Sequence, residues 1–148
     1  MIDNQSLLLV VDDDYETLQL LKLALSRAGF QVITASTWDE ISNQVETTYR
    51  VDKPIDLIVL DLMMPERSGF DIYRSLREIM VEIPPVIMLT AVTGMQQRVD
   101  ALDLGVNRYL KKPTTPGKLI ETIREVLAET ERPTRKNIQK FPPKSFVD

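Results

Sequence analysis

Five apolar or alternating runs, each halted by polar residues at its carboxyl end and each followed by helical spacing, constrain this chain more than any other feature. Leu7-Leu8-Leu9-Val10-Val11 stops at Asp12-Asp13-Asp14, Ile55 to Leu60 stops at Asp61, and Pro85 to Leu89 stops at Thr90. Continuous apolar runs of this length suit strands buried on both faces, which implies a parallel sheet. Phe30 to Ala35 alternates and carries β-branched residues, so it reads as a second strand. Val106 to Leu110, ended by Lys111-Lys112-Pro113, reads as a short fifth strand.

The intervening stretches have helical period. Leu18, Leu21, Leu25 and Ala28 form a stripe that Leu20, Leu23 and Ala24 widen, and Gly29 follows as a C-cap. Ser36 or Thr37 stands at the N-cap of a second helix marked by Trp38, Ile41 and Val45. Phe70, Tyr73, Leu76 and Ile79 mark a third helix. Met95, Val99, Leu102 and Leu104 mark a fourth, which stops at Gly105, and Leu119, Ile120, Ile123, Val126 and Leu127 mark a fifth. Strict alternation of strand and helix predicts an α/β fold with helices on both faces of the sheet. Five units in about 125 residues fit a flavodoxin-like, doubly wound five-stranded parallel sheet of order 2-1-3-4-5, a three-layer sandwich with five helices.

Composition removes several chemistries. The chain has no cysteine and no histidine, which excludes disulfides, thiolate nucleophiles, a Ser–His–Asp hydrolase and a histidine phosphocarrier. No apolar run approaches the roughly 20 residues needed to span a bilayer, and Met1 to Ser6 is polar, so a cytoplasmic protein without membrane contact is expected. No GxxxxGK[ST] and no GxGxxG occurs. The charge is uneven. Residues 1–131 hold 13 basic and 21 acidic residues, a net of about −8, while residues 132–148 hold five basic residues and one acid, about +4. A boundary near Glu131 therefore divides a folded domain, 1–131, from a basic, Pro-containing tail or linker, 132–148. The acidic domain gives no reason to expect direct nucleic-acid binding.

Ligands of doubly wound sheets bind at the carboxyl ends of the strands, so the residues that end the strands carry the functional reading. They are Asp12, Asp13 and Asp14, then Asp61, Thr90 and Lys112. Carboxylates without histidine or cysteine favour a hard divalent ion, Mg²⁺ most simply. A carboxylate beside such an ion and a lysine can act as a nucleophile toward phosphorus, with the two cations offsetting charge on the transferring oxygens. Asp14 also suits a plain helix cap.

The segments LLLVVDDD (7–14), LIVLDLMMPERSGFDI (57–72), VIMLTA (86–91) and YLKKP (109–113) resemble, in order and spacing, the receiver domains of two-component response regulators. The resemblance implies that Asp61 accepts the phosphoryl group and that Asp12 and Asp13 hold Mg²⁺ together with Asp61 and the backbone carbonyl of Met63. It further implies that Thr90 and Lys112 contact the phosphoryl oxygens, that Thr90 and Tyr109 form the switch, and that Lys112–Pro113 is a cis bond. Pro65 and Gly69 match the loop after the phosphorylated strand. The side chains of Met63 and Met64 read as core filler. Met63 and Val92 are apolar where more polar residues could orient an attacking water, which predicts a long-lived phosphoryl-aspartate.

The function so implied is a non-enzymatic, Mg²⁺-dependent switch. It would take phosphate from a histidine kinase or phosphotransfer protein and act on a downstream protein or output domain. Dimer contacts would run through the face of the fourth helix, fifth strand and fifth helix, with Arg98, Asp100, Asp103, Arg108, Lys111 and Arg124 as its charged residues. The chain would be either a single-domain regulator or part of a longer one. Two other readings stay open. One is a pseudo-receiver that only binds partners. The other is a phosphatase resembling the haloacid dehalogenases, with Asp12 and Asp14 as its DxD, although Glu16 and Thr17 do not continue that motif.

Overall fold

The computed structural model describes residues 6–91 and 94–130. The tail 132–148 and Val92, with the expectations attached to them, lie outside the described residues. Ten elements alternate in chain order. They are β1 (Leu7–Val11), α1 (Tyr15–Arg27), β2 (Gln31–Ala35), α2 (Trp38–Arg50) and β3 (Leu57–Leu60), then α3 (Gly69–Ile79), β4 (Val86–Thr90), α4 (Met95–Leu104), β5 (Arg108–Lys111) and α5 (Pro116–Thr130). The strands form one sheet of order β2-β1-β3-β4-β5, and every pairing is parallel. This is the predicted flavodoxin-like three-layer sandwich.

The period of two along each strand divides the interior into two cores. Leu9 and Val11 of β1, Ile58 and Leu60 of β3, and Val86 and Met88 of β4 point to one face, where Ile41, Val45, Ile72, Leu76 and Ala101 of α2, α3 and α4 cover them. Leu8, Val10, Leu57, Val59, Ile87 and Leu89 point to the other, beneath Leu18 and Leu25 of α1 and Leu119, Ile123 and Val126 of α5. A strand buried on both faces cannot alternate in polarity, which explains the unbroken apolar runs.

Some boundaries and faces differ from expectation. β5 begins at Arg108, not Val106. Val106 is spent closing α4, with its amide donating to the Ala101 carbonyl, and the Asn107 amide and side-chain oxygen bracket Val86 ahead of the ladder. β3 begins at Leu57 because the Asp56 amide donates to the Leu7 carbonyl while its carboxylate accepts from the Leu7 amide. Leu20 and Leu23 do not widen the buried stripe of α1; they are exposed. In α4 only Ala101 is fully buried, and Met95, Val99 and Leu102 face outward. Periodicity locates an apolar stripe but does not say whether another element covers it.

Candidate phosphoryl-acceptor site

The site is built where β1, β3, β4 and β5 end side by side. The Asp12 amide donates to the Ala35 carbonyl and the Asp61 amide to that of Val11, so each ladder carries its acid one step past the strand. Both carboxylates are then held in the same way. Asp12 Oδ1 accepts from the Asp14 amide at 2.9 Å, and Asp61 Oδ1 accepts from the Met63 amide at 3.0 Å, two Asx turns that lock the side chains to their own loops. The second oxygens converge on one ammonium. Lys112 Nζ lies 2.6 Å from Asp12 Oδ2 and 3.2 Å from Asp61 Oδ2. Asp12 and Asp61 are buried, whereas the Lys112 side chain is 25% exposed.

Asp13 completes the group. Carboxylate oxygens of Asp12, Asp13 and Asp61 all lie within 4.8 Å of one another, and Asp13 is exposed. Three carboxylates against one ammonium leave a net formal charge near −2, a donor set of oxygens only, which fits a hard dication such as Mg²⁺. Electrostatics follow from burial and pairing. Burial holds the Asp12 carboxyl above the usual aspartate range against the opposing pull of Lys112. Burial alone would lower the Lys112 ammonium, but its hydrogen bond to Asp12 and the charges of both acids outweigh that and raise it. Asp14 is a helix cap. Its carboxylate accepts from the Thr17 hydroxyl and the Glu16 amide, and the Thr17 bond holds it below the ordinary range.

Thr90, the last residue of β4, is fully buried, and its carbonyl accepts from the Lys112 amide at 2.8 Å. Lys112–Pro113 is cis, as expected. Tyr109 stands opposite Met88 in the ladder and is buried, and burial raises its phenol despite the nearby Arg98. The loop after β3 closes tightly. The Gly69 amide donates to the Leu62 carbonyl at 2.7 Å, and a Cβ on Gly69 would stand 2.7 Å from the Asp61 carbonyl oxygen.

Two expectations need correction. The Met63 side chain is not core filler; it is 62% exposed at the rim of the site, while Met64 packs partly on the core. Arg124 does not belong to the face of α4, β5 and α5. It donates to the Ala28 carbonyl and lies over the Phe30 ring, on the α1 side. The structure also shows a feature that sequence reasoning missed. A groove of about 260 Å³ opens beside Asp13, walled by Trp38, Met64, Pro65 and Arg67, with the Arg67 guanidinium 5.0 Å from the centre of the Trp38 ring. Trp38 read only as an apolar position of α2, and no local signal pairs it with Arg67.

A family model described as the response regulator receiver domain matches residues 8–124. Transcriptional regulatory protein CpxR of Escherichia coli K12 is 40% identical over 120 residues, 81% of this chain and 48% of that protein. Alkaline phosphatase synthesis transcriptional regulatory protein PhoP of Bacillus subtilis is 37% identical over 124 residues, 84% of this chain and 49% of that protein. The chain thus spans about half the length of the curated relatives it matches. Among solved structures, a response regulator receiver domain protein from Clostridium thermocellum superposes with a TM-score of 0.73 at 31% identity, covering 84% of this chain and 95% of that one.

Proposed function

This chain belongs to the response regulator receiver domain family, and from that premise we propose that it is a phosphorylation-dependent switch whose acceptor is Asp61. The observation that carries the reading is the bridging ammonium. Lys112 bridges Asp12 and Asp61 at 2.6 and 3.2 Å with Asp13 beside them, an arrangement that supports a nucleophile, metal donors and a cation acting in one small volume. An Asp61 carboxylate oxygen attacks phosphorus of a phosphohistidine on a histidine kinase or phosphotransfer protein. The new O–P bond forms as the P–N bond breaks, and the electron pair leaves with the imidazole. Lys112 transfers its hydrogen bonds from the carboxylates to the phosphoryl oxygens, and the Thr90 hydroxyl donates to another. Asp13 and Asp61, with the Met63 carbonyl and Asp12, would hold Mg²⁺, which when bound offsets charge on the phosphoryl oxygens.

The acyl phosphate then biases Thr90 and Tyr109, and through them the face of α4, β5 and α5. That face carries exposed Met95, Val99 and Leu102, an apolar surface suited to a downstream protein, an output domain or a second copy. The chain catalyses only its own phosphorylation and dephosphorylation. No helix among the described residues is long and apolar enough to cross a membrane, which accords with a cytoplasmic site of action. The Met63 side chain offers no proton acceptor to a water approaching Asp61, so the phosphoryl-aspartate is long-lived; decay within seconds would overturn this.

The test is intact mass after incubation with Mg²⁺ and acetyl phosphate. One added phosphoryl group, lost in Asp61→Asn and in chelator, is the expected result. If no mass is added and beryllofluoride also fails to bind, the chain is a pseudo-receiver. Multiple turnover of a free phosphomonoester would instead indicate a phosphatase.

A further inference from the structure

The sheet order sets β1 between β2 and β3, so the loops after β2 and β3 flank the loop that carries Asp12 and Asp13. The groove of about 260 Å³ beside Asp13 lies between those flanks, with Thr37 and Trp38 on one side and Met64, Pro65 and Arg67 on the other. The two sides are held differently. Trp38 is the first residue of α2, and reciprocal bonds fix the start of that helix. The Thr37 hydroxyl accepts from the Glu40 amide, while Glu40 Oε1 accepts from the Ser36 amide at 2.7 Å and from the Ser36 hydroxyl at 3.1 Å. Trp38 also packs, partly buried, against the core that contains Ile41 and Ile72.

The loop after β3 has no such frame. It is tied at its start, where the Met63 amide donates to Asp61 Oδ1, and at its end, where the Ser68 hydroxyl caps α3 by accepting from the Asp71 amide. Among the described residues, no backbone hydrogen bond ties residues 64–67 to the rest of the fold. Met64 packs partly on the core, and Arg67 makes the polar contacts of the segment. Its guanidinium lies 5.0 Å from the centre of the Trp38 ring on α2, and its Nη1 donates to the Ser75 hydroxyl on α3 at 3.2 Å. One exposed side chain thus joins the loop to two helices. Arginine suits the task because a guanidinium can stack on a ring and donate from its edge at the same time.

We propose that Arg67 is a positioning residue of the acceptor site: latched on Trp38, it holds the loop after β3 against α2 and keeps Met63 where its amide binds Asp61. The inference rests on the functional reading above, in which the Met63 carbonyl is a Mg²⁺ donor, so releasing the latch weakens Mg²⁺ binding. A cation–ring stack at an exposed site changes an equilibrium constant by about two- to fivefold. Arg67 acting through its charge alone would have the opposite sign. A cation on the groove that Asp13 lines disfavours a dication, and its removal would tighten binding.

The test uses the full-length protein. Amide exchange at Met63, measured in chelator, is expected to quicken by about two- to fivefold in Arg67→Gln and in Trp38→Leu. It should stay near the parent rate in Trp38→Phe, which keeps a ring, and be no faster in the Arg67→Gln, Trp38→Leu double variant than in either single one. Unchanged exchange in the single variants, or effects that multiply in the double one, would overturn the latch. Calorimetric titration with Mg²⁺ then reads the site. Trp38→Leu leaves the Arg67 charge in place and is expected to weaken binding by about two- to fivefold; an unchanged affinity would overturn the positioning role. Should Trp38→Leu not fold, Arg67→Gln decides the matter: weaker binding supports the latch, and unchanged or tighter binding overturns it. A parent chain that binds no Mg²⁺ would overturn the functional reading, and it is told apart from failure of the latch because exchange is read without metal.

Discussion

A single ammonium does double duty between Asp12 and Asp61. Asp12 and Asp61 each accept from a backbone amide with one oxygen and from Lys112 with the other, so the lysine is the shared counter-charge of two buried carboxyl groups. Lys112→Met keeps the aliphatic stem and removes that charge. In chelator it is expected to lower unfolding free energy by about 1–3 kcal/mol, less than the cost of breaking a fully buried pair because the lysine is partly solvated. Urea denaturation with and without chelator measures it, and an unchanged midpoint would show that water already neutralises the acids. A second residue sets a pH dependence at the other end of the molecule. Burial raises the Tyr73 phenol above its ordinary value of 10.0, against the opposing charge of Arg77. The native state then keeps its proton where the unfolded chain has lost it. The associated stability is whole below the unfolded value and declines as pH rises from there toward the folded one. Urea midpoints between about pH 9 and 11 should fall less steeply in Tyr73→Phe than in the parent chain.

Elements meet at loops where only one backbone path is open, and two glycines mark such places. Gly69 starts α3 against the strand that carries Asp61. A methyl there would stand 2.7 Å from the Asp61 carbonyl oxygen and 2.8 Å from Leu62 Cα, both rigid backbone atoms. Gly105 closes α4 at a φ of +125°, and a methyl there would meet the Tyr73 hydroxyl at 2.7 Å. Alanine at either site is expected to cost about 1–3 kcal/mol. The two should be separable by a cycle: Tyr73→Phe recovers part of the loss for Gly105→Ala and none for Gly69→Ala. Equal recovery, read from denaturation midpoints, would place the strain elsewhere. These loops also show what the sequence made legible. The order of elements was readable because strands buried on both faces must be apolar and must end in polar residues, and of the residues that end them the structure brings Asp12, Asp13, Asp61 and Lys112 together. The start of β5 was not, because Val106 is apolar like a strand residue but serves to close α4. The outward turn of Met95, Val99 and Leu102, the side on which Arg124 lies and the stacking of Arg67 on Trp38 were not either. Each depends on which element comes to lie next to which, and spacing along one helix carries no such information.

On the scale of the molecule, the sheet divides the interior into two apolar cores. One pole holds three clustered carboxylates; the other gathers the helix ends. An ion that occupies the acidic pole in the native state has no comparable cluster to bind in the unfolded chain, where Asp61 is separated from Asp12 and Asp13 by some fifty residues of sequence. Binding must then add to stability by mass action. At a free Mg²⁺ concentration ten times the dissociation constant, the gain is about 1.4 kcal/mol, or roughly 5 °C in Tm for a domain of this size. The rise should vanish in chelator and in Asp13→Asn, since Asp13 is the exposed member of the cluster and the one not engaged by Lys112. It should persist in Asp71→Asn, which removes an exposed acid of α3 that pairs with Arg74 and is not a member of the cluster. A Tm increase of the same size in Asp13→Asn would mean that the ion binds elsewhere on an acidic surface and that the cluster is held by Lys112 alone.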